Sequence, residues 1–467
     1  MFVITMVKNY ILLFFSLLAL FSSAQNNSCP TVLSFDQMQK LQAFQQRLEN
    51  GEVILNKKAI KYVPVKIHII GNKNGIGYYP VSFLLQTLCE LNTRFIPTGF
   101  HFFLSDVVSY INDDELYEGN SDAIWNRAGG YKDSKAVNIF FHGGGMQWCG
   151  VYFGGVDVIF IKNSCQLTDA TTLTHELGHF FTLPHTFSGW EGGNTPGNIE
   201  KIDGSNCRTA GDGFCDTKAD YVSVRWSCPL FSNLKDPNGV IFKPDSSIYM
   251  NYASDNCHSR FSNEQMLAMQ NDLQGRNIAV PTVDLRSLPA PQKIAPLPGA
   301  TNINANEVKL NWRAVPGAFA YHLQIARFGN WEYLNYDQLI YDTSAVADLF
   351  GDWPYAWRVR AITVANTCSS FGTVDTFSTH ESPASINEIG NDMKGLLYPN
   401  PSEIGQTILI KTPIGTQVIL CNSLGQTVTK FEPSTKAEIE LKIAEAGIYF
   451  VVFKTSENTF VKRLLVQ

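Results

Sequence analysis

His175-Glu176-Leu177-Gly178-His179-Phe180-Phe181-Thr182-Leu183-Pro184-His185 is the stretch on which the reading of this chain turns. On a helix, residues four apart share a face, so His175 and His179 can offer imidazoles to one ion. Leu173, Leu177 and Phe180 or Phe181 fall elsewhere on that helix and can face a core, and Thr171 or Thr172 is available near its start as a cap. Three histidines suit a borderline-soft Zn2+, and three protein ligands leave a fourth position open for water. Such a metal lowers the pKa of its water toward about 7, and Glu176, adjacent to a ligand, is placed to take the proton so that hydroxide can attack a polarised carbonyl. The plainer alternative is a helix whose histidines only make hydrogen bonds. The third histidine, six residues on, counts against it.

Outward from the motif, the chain alternates between strand and helix. Tyr62–Ile70 reads as a strand, Val81–Ile96 carries apolar residues at helical spacing, strands follow around 100–110 and 136–142, and Val156–Ile161 reads as another. This predicts one α/β domain over residues 56–278. Ahead of it, residues 25–55 include an amphipathic helix from Phe35 to Leu48, which a propeptide and a structural extension would both show. Gly143-Gly144-Gly145 lacks the Lys-Ser/Thr of a phosphate loop and reads as a turn.

These residues resemble a known group. His175-Glu-x-x-His179 with His185 is similar to the metzincin metalloproteases, and the continuation His185-Thr186-Phe187 resembles the pappalysin family with its cytophagalysin-like bacterial members. Met250-Asn251-Tyr252 resembles the Met-turn, whose methionine floors the zinc site and whose tyrosine steadies a transition-state oxyanion. Gly211–Thr217 resembles the family's Gly-Asp…Asp-Thr-Pro segment, and Ser254–Cys257 with Phe261–Gln265 its usual ending. The resemblance covers roughly residues 60–275. It implies a zinc endopeptidase acting on proteins or peptides, with His175, His179 and His185 on the metal, Glu176 as general base and Tyr252 on the oxyanion. It also implies calcium near Asp212 and Asp216, whose hard oxygens suit that ion; a solvated acidic loop is the alternative. The family's cysteine arrangement would link Cys207 with Cys228 and Cys215 with Cys257. Two residues depart from the pattern. Thr182 stands where metzincins carry glycine, a costly occupant if that turn needs φ > 0, and Lys218 replaces the segment's closing proline.

Residues 279–299 hold five prolines and read as a semi-rigid linker. Beyond it helical periodicity disappears. Short alternating strands over 300–380 predict a β-sandwich, and Trp312, Tyr321-x-Leu323, Tyr355-x-Trp357 and Phe377 make it resemble a fibronectin type III domain. Its aromatics read as core, and its role as a spacer or a weak substrate- or surface-binding module. After a second linker at 381–395, residues 396–467 form another all-β block that resembles the type IX secretion sorting domain. The signs are Tyr398-Pro-Asn-Pro401, Asn422–Gln426, Gly447–Val451 and Lys462–Val466. That resemblance implies the outer-membrane secretion machinery as a partner. The fold class is therefore multidomain: an α/β, metzincin-like protease domain followed by two all-β sandwiches.

Composition agrees. At 467 residues the chain suggests about three domains. With 45% hydrophobic, 12% aromatic and 17% charged residues it has the make-up of a folding chain, and a net charge of −6 gives no reason to expect nucleic acid. Residues 1–24, with Lys8, the apolar run Tyr10–Phe21 and Ser22-Ser23-Ala24, read as a secretory signal peptide, a membrane anchor being the alternative. No segment reaches the ~20 apolar residues of a spanning helix, so the mature protein is expected to be exported without a transmembrane span. Ten cysteines in an exported chain favour disulfides. Seven lie between 89 and 257, and Cys29 would make the set even or else supply a thiolate to the metal as a latency switch. A rival of another class is a surface adhesion protein whose metal domain is proteolytically impaired, with Thr182 as the feature in its favour.

Overall fold

The computed structural model describes residues 31–467 apart from 32, 54–59, 168, 230–232, 277, 281, 381–395, 413, 423–425, 434–437 and 455–458. The signal-peptide reading, Cys29, the second linker and part of the Asn422–Gln426 motif lie outside the described residues. Two compact units are present, Met1–Glu381 and Ser382–Gln467.

In the first unit, α1 (Phe35–Glu49) starts at a capping box in which Ser34 and Gln37 satisfy each other's backbone N–H groups. Then come β1 (Lys61–Gly71), α2 (Val81–Phe95), β2 (Phe100–Leu104), β3 (Ser109–Asn112), α3 (Asp114–Tyr117), α4 (Ser121–Arg127), β4 (Val137–His142), β5 (Gly150–Phe153), β6 (Val158–Lys162), α5 (Thr172–Phe180) and α6 (Asn263–Arg276). The strands form one sheet in the order β2-β1-β4-β6-β5, with β3 also paired to β1. All pairings are parallel except β5 against β6, which leaves β5 as an antiparallel edge. β1 and β4 are apolar nearly throughout because helices cover both faces of a parallel sheet. One face packs Val65, Ile67, Leu88 and Phe95 with Leu173 and Leu177 of α5. The other packs Ile70, Phe140 and Phe160 against Ile124 of α4.

Between α5 and α6 the chain runs mostly as loops braced by two disulfides, whose pairing corrects the arrangement that the family resemblance implies. Cys207 bonds Cys215, and Cys228 bonds Cys257. The reason is the path of the chain. Turns at Gly204 and Ala210 fold 207–215 into one tight loop, while a bridge of Trp226 to Ala253 brings Cys228 alongside Cys257. Cys149 bonds Cys165, and the partner that completes the set of eight is Cys368, which bonds Cys89.

That last bond joins the sandwich to the protease fold. The sandwich consists of β7 (Lys293–Ala295), β8 (Ala300–Asn304), β9 (Val308–Trp312), β10 (Ala320–Arg327), β11 (Leu334–Ile340), β12 (Ser344–Ala347), β13 (Pro354–Ile362) and β14 (Asp375–His380). Sheets β11-β10-β13-β14-β8 and β12-β9-β7 enclose Trp312, Tyr321, Leu323, Tyr355, Trp357 and Phe377, so these aromatics are core. The stretch read as a linker is partly structured: β7 lies inside it, and Val280 pairs with Tyr62. Nor is the sandwich a loose spacer. Asp337 Oδ2 accepts the Ser82 N–H at 2.9 Å at the start of α2, the Tyr341 hydroxyl accepts the Val108 N–H at 2.9 Å, and the Leu104 N–H donates to Val364 O at 2.9 Å.

The second unit contains β15 (Leu396–Tyr398), β16 (Ile408–Lys411), β17 (Gln417–Asn422), β18 (Thr427–Phe431), β19 (Glu438–Leu441), β20 (Gly447–Lys454) and β21 (Thr459–Val466). Its sheets, β15-β16-β19 and β18-β17-β20-β21, enclose Ile408, Ile410, Val418, Val451, Phe453 and Leu464. Cys421 forms no disulfide. Among the described residues no helix is long and apolar enough to cross a membrane.

Candidate metal centre and cleft

α5 presents His175 and His179 on one face, one turn apart. Its N-terminus is not capped by a threonine side chain as the sequence suggests. Thr171 turns its hydroxyl to Asp255 at 2.5 Å, and Gln166 Oε1 accepts the Leu173 N–H instead. The helix ends at Phe180, and the chain then reverses through Thr182, whose φ is 68°. The turn therefore does use the left-handed conformation in which metzincins place glycine, here with a branched residue. It delivers His185 to the same point: the Nε2 atoms of His179 and His175 lie 3.1 Å apart, as do those of His179 and His185. Among the described residues this triad is the group of three or more ligand side chains close enough to hold one metal ion.

Each ring's other nitrogen is engaged. His175 Nδ1 lies 2.7 Å from Tyr249 O, His179 Nδ1 2.8 Å from Leu183 O, and His185 Nδ1 3.2 Å from Glu191 Oε1. These acceptors fix Nδ1 as the protonated position and leave three Nε2 lone pairs facing one another, the orientation that metal-binding histidines take. Burial lowers all three pKa values, that of His175 to about 4, so the imidazoles are neutral at ordinary pH. A neutral nitrogen set converging on one point fits a metal ion.

Glu176 is buried on the same helix and borders a small cavity of about 30 Å³ with His175, Gly150, Tyr252, Arg225 and His258. Gly150, the first residue of β5, is required there. A Cβ on it would lie 2.8 Å from Glu176 Oε1 and 2.7 Å from Thr172 Cγ2. Met250 is fully buried beneath α5 and stands where a Cβ on Gly178 would meet its sulfur at 2.2 Å. The Tyr252 ring is 5.0 Å from that of His185 and 6.0 Å from that of His175. Along the edge of β5, the Thr31 hydroxyl accepts the Tyr152 N–H at 3.1 Å and lies 3.4 Å from Tyr152 O.

Asp212 and Asp216 separate. Asp212 is buried with Oδ1 accepting from Phe214 N–H and the Thr217 hydroxyl, and its Oδ2 has no partner. Its acidic neighbour is Glu200, also buried and with a partnerless Oε2. Burial, reinforced by Asp220, raises the Glu200 carboxyl to about 8, and burial likewise raises Asp212 well above the carboxylate range. Asp216 is exposed and accepts the Glu264 N–H at the start of α6. Sequence reasoning missed Glu200, Gly150 and Glu191. Only Glu191 left a usable signal, a carboxylate six residues after the third histidine that could orient it.

His175, Glu176 and His179 on one helix, His185 beyond the following turn and the buried Met250 beneath them thus form one cluster. Residues 110–274 match the family model described as Pregnancy-associated plasma protein-A, and residues 396–467 match the Secretion system C-terminal sorting domain. An extracellular metalloprotease of Colletotrichum graminicola is 27% identical over 229 residues, 44% of this chain and 74% of that one. Extracellular metalloprotease 1 of Coccidioides posadasii is 26% identical over 281 residues, 54% and 91% respectively. Among solved structures, a mutant of Tannerella forsythia promirolysin is 17% identical with a TM-score of 0.37, covering 54% of this chain and 96% of that one. The fibronectin III domain of human contactin 1 is 16% identical with a TM-score of 0.19, covering 22% and 89%. The chain carries a pappalysin-type metallopeptidase domain and a C-terminal secretion-sorting domain. It is an exported metalloendopeptidase.

Proposed function

We propose that the chain cleaves extracellular proteins as a zinc-dependent endopeptidase, with His175, His179 and His185 as the metal ligands. The observation carrying this is the convergence of three neutral Nε2 atoms whose tautomers are fixed by Tyr249 O, Leu183 O and Glu191. Nitrogen donors at three positions with a fourth left open are the set a catalytic zinc takes. When bound, zinc supplies Lewis acidity that polarises a carbonyl and makes a water more acidic.

The chain's own residues do the rest. Glu176, buried beside the triad, accepts a proton from the attacking water and returns it to the departing amine. Tyr252 donates its phenol hydrogen to the oxyanion that develops on the scissile carbonyl. An extended substrate can pair along the edge of β5, which offers the Tyr152 N–H and C=O outward. Thr31 holds that edge in the present chain, so it must leave for a substrate strand to bind there.

Calcium is proposed at Asp212 with Glu200, on the strength of two buried carboxylate oxygens without partners. Asp216 is left out because its carboxylate is engaged by the Glu264 N–H.

The test is Glu176→Gln beside the parent, with unfolded casein as substrate. Both should bind one zinc, and cleavage by the variant should fall by about 10²–10⁴-fold. Chelation should abolish cleavage by the parent. Equal cleavage by the two proteins removes Glu176 from the mechanism.

A further inference from the structure

The turn after α5 lacks glycine, and a cluster outside the cleft supplies the hold that Thr182 cannot provide for itself. A branched L-residue at φ 68° is strained, and such strain persists where the surroundings over-determine the conformation. The end of any helix leaves carbonyls that need donors. Here the Thr182 N–H bonds His179 O at 3.0 Å, the Leu183 N–H bonds Gly178 O at 2.9 Å, and the Thr182 hydroxyl donates to Phe181 O at 2.6 Å. The Phe180 carbonyl receives Arg276 Nη2 at 2.5 Å.

Arg276 is the last residue of α6, and all three nitrogens of its guanidinium are engaged. Nε bonds Asp272 at 2.6 Å, Nη1 bonds Asp157 at 3.1 Å, and the group lies 3.8 Å over the ring of Phe180. Asp157, in the turn between β5 and β6, also accepts the Tyr152 hydroxyl at 2.8 Å. A planar fork gripping two carboxylates and a carbonyl fixes the end of α5 to α6 and to the sheet edge. The turn held this way carries Leu183 O, the acceptor for His179 Nδ1, and runs through Pro184 straight into His185.

We propose that Arg276 is a positioning residue for the metal centre: by clamping the Phe180 carbonyl it keeps Thr182 left-handed and so keeps His179 and His185 convergent. The inference rests on the reading of the histidine triad as a metal site. It makes Arg276 and Thr182 a compensating pair, because glycine at 182 would hold the turn without the clamp.

The experiment measures Zn2+ affinity of the full chain by competition with a chelator, below each variant's unfolding midpoint. Arg276→Met is combined with Asp157→Asn and Asp272→Asn so that no buried carboxylate is left unpaired, and the set is made with and without Thr182→Gly. Affinity should fall about 10–100-fold in the triple variant, the range seen when a ligand's supporting shell is lost. Adding Thr182→Gly should restore it to within about threefold of the parent, whereas Thr182→Gly alone should change it little. Should the triple variant not fold, Arg276→Lys takes its place; it keeps the charge but cannot grip all three acceptors, and the same loss and rescue are expected. Unchanged affinity, or a loss that Thr182→Gly does not repair, overturns the proposal. A parent that binds no zinc overturns the metal-centre reading together with this one, while a zinc-binding parent with indifferent variants overturns this one alone.

Discussion

Gly150→Ala tests the site by crowding the base, with Thr172 beside it, while touching no histidine. The glycine is not in the left-handed region, so alanine meets no backbone strain, and its strand is pinned to β6. The new Cβ would sit 2.8 Å from both Cγ and Oε1 of Glu176, and 2.7 Å from Thr172 Cγ2. Carbons in contact rest at ~3.5–4.0 Å, so Glu176 must retreat by about 0.7–1.2 Å. A displacement of about 1 Å at a reacting group costs about 10²-fold in rate, or about 2.7 kcal/mol of transition-state stabilisation. Stability should change less. Overpacking costs about 1–3 kcal/mol, and replacing glycine returns about 0.4–1 kcal/mol through the unfolded chain. The nearest atoms to the new Cβ belong to no histidine, so metal content should stay at the parent's value. The assay is kcat/KM on a quenched peptide, with bound zinc and Tm measured on the same preparations. A kcat/KM within threefold of the parent, or a loss matched by lost metal, refutes the argument that Gly150 is kept bare for Glu176.

Gly178→Ala should destabilise the fold by about 1–3 kcal/mol, because its Cβ meets the Met250 sulfur at 2.2 Å; with Met250→Ala the two costs should be clearly less than additive in thermal melts. Ending the chain at residue 278 should lower Tm and solubility, since it removes Cys368, Asp337 and Tyr341 from their partners on the protease fold; a truncated chain with the parent's Tm and peptide cleavage would refute this. Stability without calcium should fall as pH rises from about 4.5 to about 8, because Glu200 is held above its ordinary value and is bound in its protonated form. Added calcium should flatten that fall in melts recorded across the range, and a flat profile without calcium would count against the buried acidic pair.

What the sequence makes legible is what local spacing dictates. His175 and His179 share a helix face by arithmetic, and alternation along Tyr355–Ala361 puts Tyr355 and Trp357 in the sandwich core. What it hides depends on the path of loops. Asp212 and Asp216 look like a pair in the chain, yet Gly213, at φ 77°, helps turn them apart, one into the interior and the other to α6. The disulfides follow the same rule, because which of Cys207, Cys215, Cys228 and Cys257 meet is settled by a bridge between Trp226 and Ala253 that no spacing announces. The docking of the sandwich is equally hidden. Its contacts are mostly backbone groups of α2, β2 and the loop before β3, which any sequence supplies.

Thr182 ties these threads together. Read from the sequence, it is the feature that keeps the rival of an impaired metal domain and an adhesive role open, since a branched residue resists the turn that glycine makes. In the folded chain the turn is made regardless, at φ 68°, and the two distances that depend on it are ordinary: His179 Nδ1 to Leu183 O at 2.8 Å and His179 Nε2 to His185 Nε2 at 3.1 Å. Strain of this kind costs about 1–3 kcal/mol and persists only if something else holds the conformation. The carbonyls from Gly178 to Phe181 all have donors, so the strain is offset by hydrogen bonds rather than relieved by a displaced ligand. A departure from the family residue at 182 is therefore evidence about how this chain stabilises its third histidine, and it carries no weight for an inactive site.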